Sequence, residues 1–338
     1  MKRFIPIYII ALCALCLTAC ENGEENPQIE LKDIPITLEA AVTRANISNL
    51  QDEGFGVWAF INNSVQTNYA YMENVLVKNV GGEGGEWIYS PAKYWLDDTR
   101  FTFVATYPYD EEGTIYTINP STGAVQLTLS DTPSVTDYLV ATESVDTSDA
   151  GFNPSSPVQL QFKHILSKVS INVWREGVKH QNDQMRIRKV TLSNIRKAGT
   201  YSSTTNTWAT TNEKLAMVYE NNTLADSDNI GGATKKDDSY EFGGVASVPF
   251  NELMLLPQTI DASNTISLKI EYELKRQNAA DWETAELETV LPATTWDSGK
   301  EYTYNVVLSQ VTDITVYYIQ TKVDPWGTPQ VGGTVIIK

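Results

Sequence analysis

The side chains able to do covalent or metal chemistry are few. The three cysteines, Cys13, Cys16 and Cys20, fall near the start of the chain, and the two histidines are His164 and His180. A thiolate cluster, a disulfide framework or a multi-histidine zinc centre would each need more ligands in the body of the chain. No G-x-S-x-G elbow, phosphate loop or H-E-x-x-H pair occurs. The glycines at 81, 82, 84 and 85 lack the Lys-Ser/Thr that follows a phosphate loop, so they read as a turn. Acidic residues outnumber Lys and Arg by 42 to 25, yet a glycosidase pair needs two carboxylates ~5–9.5 Å apart and scattered acids are ordinarily solvation. The acidic turns at 146–149 and 226–228 lack the ligand spacing of a calcium loop. These residues point away from an enzyme and imply no metal and no cofactor.

Cys20 is the exception. Lys2 and Arg3 precede an apolar run over 4–17, which Leu17-Thr18-Ala19-Cys20 closes with small residues. The run is shorter than the ~20 residues of a membrane-spanning helix and reads as a secretory signal. Its end looks like the bacterial lipobox, in which the thiol is acylated and the chain is cut before it. Residues 1–19 are therefore expected to be a lipoprotein-type signal peptide, Cys20 the lipidation site, and 20–33 a flexible acidic tether. Acyl chains contribute ~0.8 kcal/mol per buried CH₂, so an outer-membrane anchor follows. Loss of Lys2 and Arg3 takes the formal net charge from −17 to −19. Such a surface repels phosphate backbones and argues against nucleic acid as a partner.

Everything else must be positioned by strands. Ile36, Leu38, Ala40 and Val42 alternate with Thr37, Glu39, Ala41 and Thr43, the pattern of a half-buried strand, and Arg44 ends it before a polar loop that opens at Ala45. Further strands are predicted at 55–61, 74–80, 100–107, 114–118, 125–129, 138–142, 185–195, 245–256, 266–274, 285–291, 302–308 and 314–323, with turn clusters between them. Residues 221–239 read as a long polar loop, and no stretch carries an amphipathic helix of useful length. Many short strands predict an all-β protein of antiparallel sandwiches, with an N-terminal domain over 34–156 and a C-terminal domain over 157–338. The polar stretch 144–156 marks that boundary. Just beyond it, in 158–174 (VQLQFKHILSKVSINVW), Val158, Leu160, Phe162 and Leu166 are even-numbered whereas Val169, Ile171 and Val173 are odd. A one-residue slip sends an apolar set to the other face, so the chain is expected to leave one β layer for the next near Ser167 and Lys168. His164, among apolar neighbours, reads as a packed core histidine.

Two further features bear on binding. Trp208 and Trp282 lie in polar surroundings and are candidates for stacking on sugar rings, which would suit a lipid-anchored, non-polymerising, glycan-binding surface protein. Thr334-Val335-Ile336-Ile337, after Gly332 and Gly333, is a β-prone tail. It is either the last strand of its own sheet or a strand offered to a neighbour.

Five phrases in order resemble the fimbrillin family, in particular its Mfa-like lipoprotein branch. They are the segment ending at Cys20, ITLEAAVTRA, SPAKYWLDDTRFTFVATYPYD, VQLQFKHILSKVSINVW, and DSGKEYTYNVVLSQVTDITV followed by Asp324-Pro325-Trp326. The resemblance implies two transthyretin-like antiparallel β-sandwich domains in tandem and export as a lipoprotein to the outer membrane and cell surface. It also implies assembly with other pilus subunits into a type V fimbria by strand donation. In the family a protease specific for arginine or lysine cuts after the first strand; here Arg44 and Ala45 match that position. The displaced strand would carry Ile36, Leu38, Ala40 and Val42, and the assembled fimbria would meet a receptor or glycan on a host or bacterial surface.

Overall fold

A computed structural model describes residues 30–42, 48–82, 85–130, 136–176, 183–236 and 239–308, with the backbone of three further strands at 314–321, 329–331 and 335–336. In chain order the first strands are β1 (Leu38–Val42), β2 (Phe55–Asn62), β3 (Tyr69–Val80), β4 (Glu86–Tyr89), β5 (Arg100–Tyr107), β6 (Tyr116–Ile118), β7 (Val125–Leu129), β8 (Leu139–Asp146) and β9 (Val158–His164). Seven of them form one sheet in the order β1-β9-β8-β5-β2-β3-β4. In β9 the predicted alternation becomes alternating burial: Val158, Leu160 and Phe162 are covered while Gln159, Gln161 and Lys163 are exposed. β2 is apolar almost throughout because both its faces are covered. Phe55, Val57, Ala59 and Ile61 join one cluster, and Trp58 and Phe60 join another. The short helix α1 (Ser48–Glu53) adds Leu50 to the first cluster.

The chain then continues as β10 (Ser167–Glu176), β11 (Gln184–Arg196), β12 (Gly199–Ser202), β13 (Thr207–Thr210), β14 (Lys214–Glu220), β15 (Gly232–Lys236), β16 (Ser239–Gly243) and β17 (Ser247–Leu255). After these come β18 (Gln258–Ile260), β19 (Ser267–Lys275), β20 (Glu283–Val290), β21 (Thr294–Trp296), β22 (Glu301–Leu308), β23 (Ile314–Thr321), β24 (Pro329–Val331) and β25 (Val335–Ile336). One sheet runs β16-β15-β10-β22-β23-β24, with β17 also on β10; another runs β14-β11-β19-β20. Val169, Ile171 and Val173 of β10 and Tyr302, Tyr304 and Val306 of β22 share a buried cluster with Val190 and Leu192 of β11 and Ile270 and Tyr272 of β19. That shared cluster makes the pair of sheets a sandwich. Trp296 is fully buried in it and donates its indole N–H to the Tyr304 hydroxyl (2.8 Å).

Besides β4, β12, β13, β14, β16, β18, β21 and β24, which no predicted strand covers, the structure departs from the sequence reading in three places. The predicted boundary at 156–157 precedes β9, yet β9 pairs with β1 and β8, so the change of sheet comes at Ile165 and Leu166. The physical reason is that β9's apolar row packs in the first cluster, which makes 144–156 the end of β8 and its connection to β9 within that sheet. Second, the polar stretch 221–239 includes β15, whose start pairs with the end of β10 and whose whole length pairs with β16. Main-chain bonding holds it without an apolar stripe. Third, the pairing is not wholly antiparallel: β1–β9, β10–β15 and β10–β22 are parallel. A small sheet, β13-β12-β7-β6, joins early and late parts of the chain. Its Leu127 and Tyr201 lie in a third cluster with Trp58, Val104, Leu166 and Leu256.

Candidate functional site

β1 lies at the edge of its sheet but does not have an edge strand's side chains. Ile36, just before it, and Leu38 within it are 2 % and 4 % exposed, and Ala40 packs on the same cluster half-buried. Thr37 and Glu39 face water, and Glu39 accepts a hydrogen bond from Gln159 Nε2 (2.6 Å). The pairing with β9 is parallel, from Leu38 opposite Val158 to Val42 opposite Phe162. Parallel pairs are slightly less stable per residue than antiparallel ones. Side-chain burial therefore does much of the holding: Ile36 and Leu38 together contribute ~3–6 kcal/mol at ~1.5–3 kcal/mol each.

The opposite edge of the sheet comes round to meet β1. The Tyr89 hydroxyl donates to the Ile36 carbonyl (2.8 Å), and the Ile36 N–H donates to the Lys93 carbonyl (2.8 Å). Phe55 lies between the edge strand β4 and the neighbour of β1, its ring 5.1 Å from Trp87 of β4 and 5.0 Å from Phe162 of β9. Burial pushes the Tyr89 phenol up to about 12, with the Lys93 backbone N–H pulling the other way, so it stays a neutral donor at ordinary pH. An open cleft of about 400 Å³ runs along β1, walled by Leu38, Ala40, Gln51 and Trp87. Chemically the arrangement is a main-chain slot with an apolar floor, suited to an extended strand. Tyr89 and Lys93 went unread in the sequence; the short alternation Trp87-Ile88-Tyr89 after the glycine turn was their only signal.

The other predicted residues are scattered. Cys20, Arg44, Ala45, Thr334 and Ile337 lie outside the described residues, and Val42 is described in its backbone alone. Val335 and Ile336 pair antiparallel with Val316 and Thr315 of β23, in their own chain's sheet. Trp208, in β13, donates its indole N–H to the Ile165 carbonyl (2.6 Å) and packs against Tyr201. Trp282, just before β20, carries the Arg186 guanidinium 4.0 Å above its ring. Trp208 thus sits within the β13-β12-β7-β6 sheet, and Trp282 outside any strand, beside β20. His164 is 8 % exposed and its Nδ1 contacts Asp137 Oδ2.

A model described as fimbrillin-like matches residues 43–326, most of the chain. The protein belongs to the fimbrillin-like family. Among solved structures, this fimbrillin-like chain is similar to a fimbrial protein from Bacteroides vulgatus at 17% identity and a TM-score of 0.62, covering 88% of this chain and 99% of that one. A candidate cell adhesion protein from Bacteroides ovatus is 18% identical with a TM-score of 0.49, over 87% of this chain and 98% of that one. No curated protein matches. The first likeness establishes a shared fold, and family membership supports a structural, adhesive fimbrial subunit at the cell surface.

Proposed function

We propose that β1 is a temporary occupant of its own sheet. The chain is exported as a lipoprotein through Cys20, reaches the outer membrane and cell surface on its acyl chains, and is cut between Arg44 and Ala45. The cut releases β1, and a strand from a neighbouring subunit takes its place beside β9. The observation that carries this reading is an edge strand with buried Ile36 and Leu38. β1 itself has a ladder on one side only, to β9, with Ile36 ahead of it bonded to Lys93 and Tyr89 on the other, and the groove left behind is apolar. An unfilled groove forfeits ~3–6 kcal/mol out of a domain's ~5–15 kcal/mol, so refilling is strongly favoured. The donor in this reading is the tail 334–337, which two residue pairs hold on β23. A glycan-binding role through Trp208 and Trp282 draws less support, because both rings already have partners within the chain.

An Arg44→Ala variant tests the scheme. Its surface form should begin at Cys20 and stay monomeric, and a different protease site inserted at the same place should restore polymer. Polymer built from uncut Arg44→Ala chains would contradict it.

A further inference from the structure

Along one edge of β10 the partner changes: β17 pairs as far as Val173, and β15 takes over at Arg175 and Glu176. Where the two part, a cavity of about 560 Å³ opens, within the ~300–1,000 Å³ of small-ligand sites. Part of its wall is bare backbone from Gly231, Gly232 and Gly244. A Cβ on Gly231 would stand 2.5 Å from the Gly243 carbonyl oxygen and 2.8 Å from the Val245 nitrogen, so that wall has no room for a side chain. The Gly231 N–H donates to the Val245 carbonyl (2.6 Å), and its own carbonyl accepts from the Arg175 N–H (3.0 Å).

Arg175 lines this cavity at 8 % exposure, in the same register of β10 as the core residues Val169, Ile171 and Val173. A guanidinium cannot shed its proton in a protein, so the charge persists in the burial. Burial lowers its pKa, and the charge of Asp183 offsets this in part. The remaining walls carry amide and hydroxyl groups from Asn221, Ser227 and Ser247, while Val245 and Val248 at the rim are 78 % and 46 % exposed. Asp228, also in the wall, turns to its own loop and accepts from Ala225 N–H (2.9 Å) and Asn221 Nδ2 (3.2 Å). A fixed cation, several neutral hydrogen-bonding groups and two apolar contacts together match a carboxylate on a hydroxylated ring.

We propose that this cavity binds an acidic sugar, with the carboxylate held by Arg175 and the ring hydroxyls by Ser227 and Ser247. Uronic and sialic acids share this chemistry, and either would give the subunit an adhesive contact remote from β1. The test is an NMR titration of the purified, unassembled full chain with glucuronic acid and N-acetylneuraminic acid, with glucose and N-acetylglucosamine as neutral controls. At least one acid should bind, at least ten-fold tighter than its neutral counterpart, and Arg175→Met should weaken it at least ten-fold. Should Arg175→Met fold poorly, Val248→Trp, at an exposed rim position, should block binding while leaving the thermal midpoint unchanged. Failure of both acids to bind, equal binding of acids and neutral sugars, or acid binding untouched by Val248→Trp would each overturn the proposal. The measurement precedes assembly, so its failure would leave the strand-exchange scheme standing.

Discussion

Two parallel strand pairs in this molecule have the same hydrogen-bonding geometry and opposite prospects. β10 and β22 pair from Lys168 opposite Glu301 to Arg175 opposite Leu308, with β15 and β17 on one side and β23 on the other. β1 and β9 pair over five residues at the rim of a sheet. Removing β22 would break two ladders and empty a core that includes Tyr302, Tyr304, Val306 and Leu308. Removing β1 breaks one ladder and opens a groove that another strand can fill. The cost of removing a strand thus depends on its neighbours and not on its pairing type: β22 has two ladders and a buried core to break, β1 one ladder at a rim.

The largest expected effect lies in the embedded pair. Tyr304→Ala removes a fully buried ring and leaves the Trp296 N–H without its acceptor, so it should cost about 3–5 kcal/mol in urea unfolding. The same loss is expected whether or not β1 is present, and a dependence on β1 would break the comparison. Next, Leu38→Ala should cost about 2 kcal/mol in the uncut chain, near the low end for a buried leucine because the site is at an edge. After cleavage and release of β1 the cost should vanish; persistence of it would mean that β1 stays bound.

Tyr89 supplies the smallest and most local reading. Tyr89→Phe removes the hydrogen bond to Ile36 and a long one (3.4 Å) from the Lys93 N–H, and should cost about 1 kcal/mol. With β1 in place burial pushes the phenol up to about 12, above the unfolded value of about 10. The folded state then holds a proton that the unfolded state has lost, so this stability is complete below about pH 10 and declines as pH rises toward 12. Ultraviolet titration of a chain with β1 removed and the groove empty should show the Tyr89 pKa falling back toward 10. An unchanged value would mean that β1 does not bury this side chain.

Sequence periodicity revealed strands whose two faces meet different solvents. Ile36, Leu38 and Ala40, the row in β9, and the alternation of β19 against β20 were all legible for this reason. The slip read near Ser167 and Lys168 also came within two or three residues of the change of sheets at Ile165 and Leu166, because a register conflict is local. Long-range pairing left no such mark: that β1 lies beside β9, or that Thr128 of β7 meets Thr200 of β12 (3.1 Å), depends on partners far apart in the chain. β12, β13 and β15 were missed because main-chain bonds and a few buried side chains such as Tyr201 hold them, with no stripe to read. Arg175 carries a visible signal, a charge continuing the apolar odd register of Val169, Ile171 and Val173, but it lies one residue beyond the stretch 158–174 in which that register was read.

The central claim, that β1 leaves and is replaced, is tested most directly by the N-terminal residue and oligomeric state of the protein recovered from the cell surface. Strand exchange predicts chains beginning at Ala45 in a denaturant-resistant ladder. Ladders of chains that still begin at Cys20, or a lipidated monomer alone, would contradict it.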